Sequence, residues 1–184
     1  GCREQTLGRT CYIQQWRSLV SARSRRPAPR VLTVGPRMSQ TTTRTRQLAD
    51  SFVEVRAATE ALAAPLGAED QTVQSMPDTS PTKWHRAHIT WFFETFVLLE
   101  FDSSYEQFDP AFGYLFNSYY EAVGARHPRP DRGLISRPTV DEVADYRAFV
   151  DAAMRRYLET LNDETNKEIL DLVELGLHHE QQHQ

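Results

Sequence analysis

Hydrophobic residues in this chain recur at helical spacing over long stretches, and no stretch alternates in the way that a half-buried strand requires. The clearest stretches are residues 43–64, 81–100, 139–161 and 165–184. Each carries an apolar stripe along one face, which must be covered in a stable fold. Four such helices can bury their stripes against one another, so the pattern predicts an all-α, four-helix bundle.

Helix-start signals stand where these stretches begin. Ser80 followed by Pro81 is typical of an N-cap with proline in the first turn. Thr139 and Glu142 have the spacing of a capping box, in which each side chain bonds the backbone N–H of the other. Residues 162–163, Asn then Asp, are expected to end the third long helix and to cap the fourth.

The connections between the long helices are polar or of mixed composition. Residues 67–78 are polar and turn-like, and residues 124–133 have the Gly, Pro and Arg content of a loop. The aromatic-rich run from Pro110 to Val123 predicts one short additional helix.

The first 37 residues differ from the rest in charge. They carry eight arginines and one glutamate, a net charge of +7, whereas residues 38–184 carry thirteen Lys or Arg and twenty-four Asp or Glu, a net charge of −11. The basic segment resembles a transit peptide, but its lack of hydrophobic period and the Met at position 38 favour a simpler interpretation. We predict residues 1–37 to be a disordered or mis-assigned extension, and residues 38–184 to be the folded domain.

Several partners and locations are disfavoured by composition. No apolar run is long enough to cross a bilayer, and no aromatic or basic motif supports a nucleic-acid arm. Cys2 and Cys11 both lie in the basic segment and cannot crosslink the main domain. We therefore expect a cytoplasmic protein that binds neither membrane nor nucleic acid.

Three histidines fall on the predicted inner faces of the bundle. His179 and His183 are four residues apart, so both imidazoles lie on one face of the last helix. His88 lies on the inner stripe of the second long helix. Buried imidazoles without a partner are costly, so the three predict a metal site, with Gly176 leaving space beside the ion. His85 and His178 lie off these stripes and are expected at the periphery.

Other interpretations of the same histidines remain open at this point. The sequence HEQQH at residues 179–183 also matches the HExxH pattern of zinc peptidases, with Glu180 as general base. The missing strands and third ligand disfavour that assignment. His88 could be an ordinary core histidine, and the terminal pair could be two surface residues of a helix end.

Arginines are concentrated in the loop before the third long helix, at positions 126, 129, 132 and 137. They fit either a solvated linker or a clamp for the carboxylate of a substrate, because a guanidinium binds a carboxylate through two parallel hydrogen bonds. We name Arg126, Arg129 and Arg132 as candidate substrate-binding residues.

Two histidine-containing segments also resemble a known family. These are residues 80–96, SPTKWHRAHITWFFETF, and residues 175–184, LGLHHEQQHQ, supported by residues 112–120 and 132–139. They resemble the N-terminal DinB-like domain of the sulfoxide synthases of ergothioneine biosynthesis, the hercynine oxygenases of the EgtB type. The resemblance covers about residues 38–184.

That resemblance implies a specific metal and reaction. It implies non-haem Fe(II) held by His88, His179 and His183. It also implies an O2-dependent reaction that joins the thiol of cysteine or γ-glutamylcysteine to hercynine, giving a sulfoxide. In this family a second domain, similar to formylglycine-generating enzymes and C-type lectins, supplies a catalytic tyrosine. We therefore expect this chain to be the N-terminal part of such an enzyme and to be inactive by itself.

Two rival functions share the predicted fold. A DinB-like thiol transferase would use the same three histidines with zinc or nickel. A non-catalytic helical bundle would use them only for packing.

Overall fold

The structure is a computed structural model that describes residues 43–118 and 124–184. The predicted extension 1–37 lies outside the described residues. The α-helices within them are α1 (Arg44–Ala63), α2 (Ala68–Thr72), α3 (Thr82–Phe93), α4 (Leu99–Phe101), α5 (Phe112–Phe116), α6 (Val140–Thr160) and α7 (Lys167–His183). A π-helical turn (Glu94–Leu98) joins α3 to α4, and a 3₁₀ helix (Arg129–Leu134) precedes α6. The described residues contain no strand.

The four long helices α1, α3, α6 and α7 form a closed ring around one core. α1 packs against α7 and α6, and α3 packs against the same two helices from the other side. Their shared interior is filled by large side chains that are almost fully buried, among them Phe52, Trp91, Phe93, Tyr146 and Leu172. The predicted all-α four-helix bundle is confirmed. Among the described helices, not one has both the length and the hydropathy that a bilayer crossing demands.

The directions of the four helices do not simply alternate. α1 and α7 run parallel, because Arg44 at the start of α1 bonds Glu174 in the first half of α7, and Thr59 near the end of α1 bonds Glu180. α3 runs antiparallel to α7 and α6 antiparallel to α1, as four contacting pairs show: His85–His183, Phe93–Gly176, Arg56–Asp151 and Glu60–Arg147. α3 and α6 therefore run in the same direction.

Two parallel consecutive helices require a connection that returns along the bundle. The start of this return segment is held at the far end of α3, where Tyr105 and the backbone N–H of Phe108 donate to the buried carboxylate of Glu94. Further along, the carbonyl of Leu115 accepts from the indole N–H of Trp84, near the start of α3. The return segment thus lies over the end of the bundle that carries the histidines.

Three predicted details are wrong. The helix expected from Pro110 to Val123 ends at Phe116, after which Asn117 is extended and its amide donates to the Gly124 carbonyl. Residues 119–123 lie outside the described part. Leu62 and Leu99, both assigned to inner stripes, are 57% and 40% exposed. The π-helical turn adds a residue to the turn before Leu99 and so shifts its face outward.

The cap signals are confirmed at one helix and reassigned at two others. Thr139 and Glu142 form the predicted capping box of α6. Asp163 does not cap α7 but accepts the backbone N–H groups of Arg44 and Thr45, and so caps α1. The N-cap of α3 is Pro81, whereas the hydroxyl of Ser80 accepts a hydrogen bond from Arg132. The start of α1 is thus stabilised by a residue far away in the sequence, which a local pattern does not reveal.

Candidate metal centre

The structure brings the three predicted ligands together. One ring nitrogen from each of His88, His179 and His183 lies within 4.8 Å of the other two. α3 supplies the first, and the last turns of α7 supply the other two on one face, as their spacing requires. His88 and His179 are 2% and 3% exposed, and His183 is half-buried. Access to the cluster is therefore from the side of His183.

The ring of His88 is held in one orientation. Its Nδ1 lies 2.7 Å from the carbonyl oxygen of Phe116. Because a carbonyl can only accept, Nδ1 carries the hydrogen, and Nε2 keeps a lone pair for the cluster. Trp84 stacks against the ring with centroids 4.6 Å apart, and Trp91 lies nearly parallel to it at 5.7 Å. Carbonyl and indoles together fix both the tautomer and the ring plane.

The three imidazoles are neutral at neutral pH. Burial lowers the pKa of His88 well below its ordinary value. Burial, with a smaller contribution from His85, lowers the pKa of His179 to about 4. Burial and the neighbouring His179 lower the pKa of His183 to about 3. Only the neutral imidazole has a lone pair for a metal, so the protonation state suits coordination.

This donor set fits a divalent transition metal. Nε2 of His179 and Nε2 of His183 are 3.1 Å apart, a separation at which two ring nitrogens must share either a proton or a cation. No carboxylate of the described residues belongs to the cluster. Three neutral imidazoles suit zinc, iron, cobalt or nickel, and leave the ion its full charge and open coordination positions. The ligands do not by themselves select iron.

Gly176 has a different role from the one expected. A Cβ added there would lie 2.6 Å from Cε1 of Phe93 and 2.9 Å from Cε1 of Phe92. Two aromatic rings, and not an ion, therefore occupy the space that the glycine leaves. Its missing side chain lets α7 approach α3 closely, which brings the rings of His179 and His88 to a centroid distance of 5.0 Å.

Glu180 faces away from the histidines. Its carboxylate accepts from Thr59 at 2.6 Å, from Arg56 at 3.1 Å and from Arg147 at 3.3 Å, on a different face of α7. Burial alone would raise its pKa, but Arg56 and Arg147 hold the pKa below its ordinary value. A general base must face the water that it activates. The geometry therefore argues against the zinc-peptidase interpretation.

Arg132 is the candidate substrate-binding residue nearest the cluster. It is 3% exposed, and its guanidinium carbon lies 3.4 Å from the ring centroid of Trp84. It donates to the hydroxyls of Ser80 and Ser118, while its Nε has no partner within the described part of the chain. Burial, with Arg129 and Arg126, lowers its pKa to about 10. A buried guanidinium whose hydrogen bonds go to two neutral hydroxyls is suited to an incoming anion.

The other loop arginines are placed differently. Arg126 donates to the backbone carbonyl of Ser118, the residue whose hydroxyl accepts from Arg132. Arg129 opens the 3₁₀ helix, and its carbonyl accepts from Gln74. Arg137 pairs with Glu142 on the surface, in keeping with a solvated linker. The structure thus separates Arg137 from the three residues named as candidates.

Several groups around the histidines could not be assigned from local patterns. His85, expected at the periphery, has its Nδ1 2.7 Å from Nδ1 of His183, whereas His178 is exposed and contacts Gln181. The spacing of three residues between His85 and His88 is the only local signal for that contact. The carbonyl of Phe116 carries no sequence signal at all, since any residue could supply it.

Comparison with known proteins places this geometry in a family. A search of curated proteins finds no significant match. The family profile described as the DinB superfamily matches residues 51–184, which include all four long helices, α1 in part, and all three histidines. DinB-like domains bind metal ions, in keeping with the cluster described above. The chain therefore belongs to the DinB superfamily.

Proposed function

We propose that this bundle is the iron-binding part of a non-haem, O2-dependent sulfoxide synthase of ergothioneine biosynthesis. The observation that carries the proposal is the convergence of three neutral imidazoles, without a carboxylate, close to the buried guanidinium of Arg132, whose Nε has no partner among the described residues. The resemblance of residues 80–96 and 175–184 to the hercynine oxygenases supports the same assignment. Cysteine or γ-glutamylcysteine would be the thiol substrate and hercynine its acceptor.

The overall reaction replaces an imidazole C–H and a thiol S–H bond by one C–S bond. One atom of O2 is added to the sulfur, and the other leaves with the two hydrogens as water. Ferrous iron, when bound, supplies the redox chemistry and the coordination positions for the sulfur and O2. His88, His179 and His183 contribute no negative charge, so an anionic thiolate is the favoured additional ligand.

The arginines would position the thiol substrate. Its carboxylate would give the buried guanidinium of Arg132 the counter-ion that the described residues do not provide. With burial, the positive charges of Arg129 and Arg126 lower the pKa of Arg132, so these charges also reach the guanidinium that would bind the carboxylate. Fixing the substrate at both its carboxylate and its sulfur would remove most of its freedom before reaction.

A thiol transferase that uses zinc or nickel is the second candidate. The donor set favours it to the same degree, because three neutral imidazoles also form zinc sites that activate a bound ligand. Both candidates need the thiol at the metal, and they differ in the metal used. Anaerobic competition between Fe(II), Zn(II) and Ni(II) for the whole chain, followed by reaction with O2, separates them.

The thiol step can be tested with Co(II) as a spectroscopic probe. Cysteine or γ-glutamylcysteine added to the Co(II)-loaded chain should produce a thiolate-to-cobalt absorption band, and serine should not. Arg132→Met should weaken thiol binding roughly tenfold or more, since a charged hydrogen bond is lost, with Co(II) affinity unchanged. Arg137→Met is the matched control. A Co(II) spectrum that thiols leave unchanged would reject both candidates.

A further inference from the structure

His85 contacts one metal-ligand candidate from outside the cluster. It lies on α3 one turn before His88, and its Nδ1 is 2.7 Å from Nδ1 of His183. The two ring centroids are 4.9 Å apart and the planes are inclined by 52°, which suits an in-plane hydrogen bond better than stacking. The other nitrogen of His183, Nε2, faces Nε2 of His179. The two nitrogens of His183 therefore have different partners.

Hydrogen-bonding rules assign the proton between the two rings. Nε2 of His183 faces the cluster, and a cation there binds only a nitrogen that offers a lone pair. A neutral ring whose Nε2 keeps its lone pair carries its hydrogen on Nδ1. Nδ1 of His85, 2.7 Å away, is then the acceptor of that N–H.

We infer that His85 is a positioning residue of the metal centre, which accepts the Nδ1–H of His183 and so presents the Nε2 lone pair of His183 to the cation. The inference rests on the proposed metal site. His88 has the equivalent support from the Phe116 carbonyl. His183 is the more exposed ligand and lies on the last turn of α7, where an unsupported ring would rotate away from the ion. Such outer hydrogen bonds hold metal-binding histidines in a productive orientation.

Two substitutions of His85 separate its hydrogen bond from its packing. Asn places its amide oxygen where Nδ1 of histidine lies and can still accept, whereas Leu fills the space without an acceptor. The whole chain is titrated with Co(II), and the Kd is measured by absorption. His85→Leu should weaken binding roughly 10- to 100-fold, and His85→Asn should restore most of it. His178→Leu, on the exposed face of α7, should bind as the wild type does.

A second measurement keeps the inference testable if His85→Leu fails to fold. Long-range ¹H–¹⁵N spectra of the Zn(II)-loaded wild type should show His183 protonated at Nδ1 and His85 unprotonated at Nδ1. Protonation at Nε2 of His183, unchanged Co(II) affinity in a folded His85→Leu, or equal losses of Co(II) affinity in His85→Asn and His85→Leu would each overturn the inference.

The variant His179→Ala distinguishes failure of the metal site from failure of the role of His85. If it binds Co(II) like the wild type, the metal centre itself is wrong. If it abolishes binding while His85→Leu does not, only the role of His85 is wrong.

Discussion

His179 and Glu180 are neighbours in the chain, yet their side chains enter two different buried regions of the bundle. His179 joins the histidine cluster between α3 and α7. Glu180 joins an ionic cluster between α1, α3, α6 and α7, whose members are Arg56, Glu60, Arg86, Arg147, Asp151 and Glu180. Glu60 lies at the exposed edge of the ionic cluster and His183 at the half-buried edge of the histidine cluster. The two regions differ in how their charges are paired.

The charges of the ionic cluster are paired with one another. Arg56 bonds both Asp151 and Glu180, and Arg147 bonds both Glu60 and Glu180, so each charge meets an opposite one. The histidine cluster has three neutral donors, a nearby cation in Arg132 and no anion of the described residues. A region satisfied within the chain serves the fold. One that gathers neutral nitrogen donors near a cation, with no anion of the described residues among them, is complementary to ligands from outside.

Breaking the ionic cluster should have the greatest effect on stability. Glu180→Ala leaves Arg56 and Arg147 buried without their shared carboxylate, and should lower the free energy of unfolding by about 3–5 kcal/mol. Urea denaturation measures this change. Glu174→Ala, which removes an exposed partner of Arg44, is the control and should cost less than about 1 kcal/mol. Equal effects of the two substitutions would show that a buried ion pair of this cluster stabilises the fold no more than an exposed one.

The histidine cluster should stabilise the fold only when a metal is added. At a Co(II) concentration about 100 times its Kd, the wild type should gain about 2.7 kcal/mol, because the ion binds the folded state alone. The His179→Ala variant should gain no stability from Co(II). Thermal unfolding with and without Co(II) measures the difference. A stabilisation by Co(II) that survives His179→Ala would place the binding site elsewhere.

Close packing of α7 on α3 at Gly176 brings the rings of the histidine cluster together. Gly176→Ala brings a methyl group into the rings of Phe92 and Phe93, and should lower the free energy of unfolding by about 1–3 kcal/mol. The same displacement should weaken Co(II) binding. Gly113→Ala is the control, because a Cβ there meets no atom within 4 Å. Unchanged Co(II) affinity in Gly176→Ala would show that the close approach of α7 to α3 does not determine the geometry of the metal site.

The smallest effect is expected at Asp163, a carboxylate outside both regions. Hydrogen bonds from the Thr45 side chain and from the backbone of Thr45 and Arg44 lower its pKa. Its stabilising contribution is thus present above the unfolded pKa and is lost as the pH falls through the lower, folded pKa. Asp163→Asn should flatten the dependence of stability on pH below about pH 4. Denaturant midpoints measured from pH 2 to 6 test this, and an unchanged slope contradicts it.

Helical periodicity was sufficient to predict the four long helices, because an apolar stripe on each must be buried whatever the final packing. The same argument identified His88, His179 and His183, since an imidazole on an inner stripe has to meet other inner-stripe residues. It failed at Leu99, where the π-helical turn shifts the face of every later residue in that helix. Periodicity assumes a regular helix, and nothing in the local sequence marks this irregular turn.

The sequence alone was thus enough for the helical class, the inner faces and the three histidines, because these follow from spacing along single helices. The placement of His179 and Glu180 in two different regions, the role of Gly176 and the contact of His85 with His183 depend on how helices meet. So does the parallel arrangement of α3 and α6, which forces the return segment across the histidine end. Through that route the carbonyl of Phe116 reaches His88, and the guanidinium of Arg132 reaches Trp84, which stacks on His88. Contacts between residues far apart in the chain are set by packing, and no local pattern encodes them.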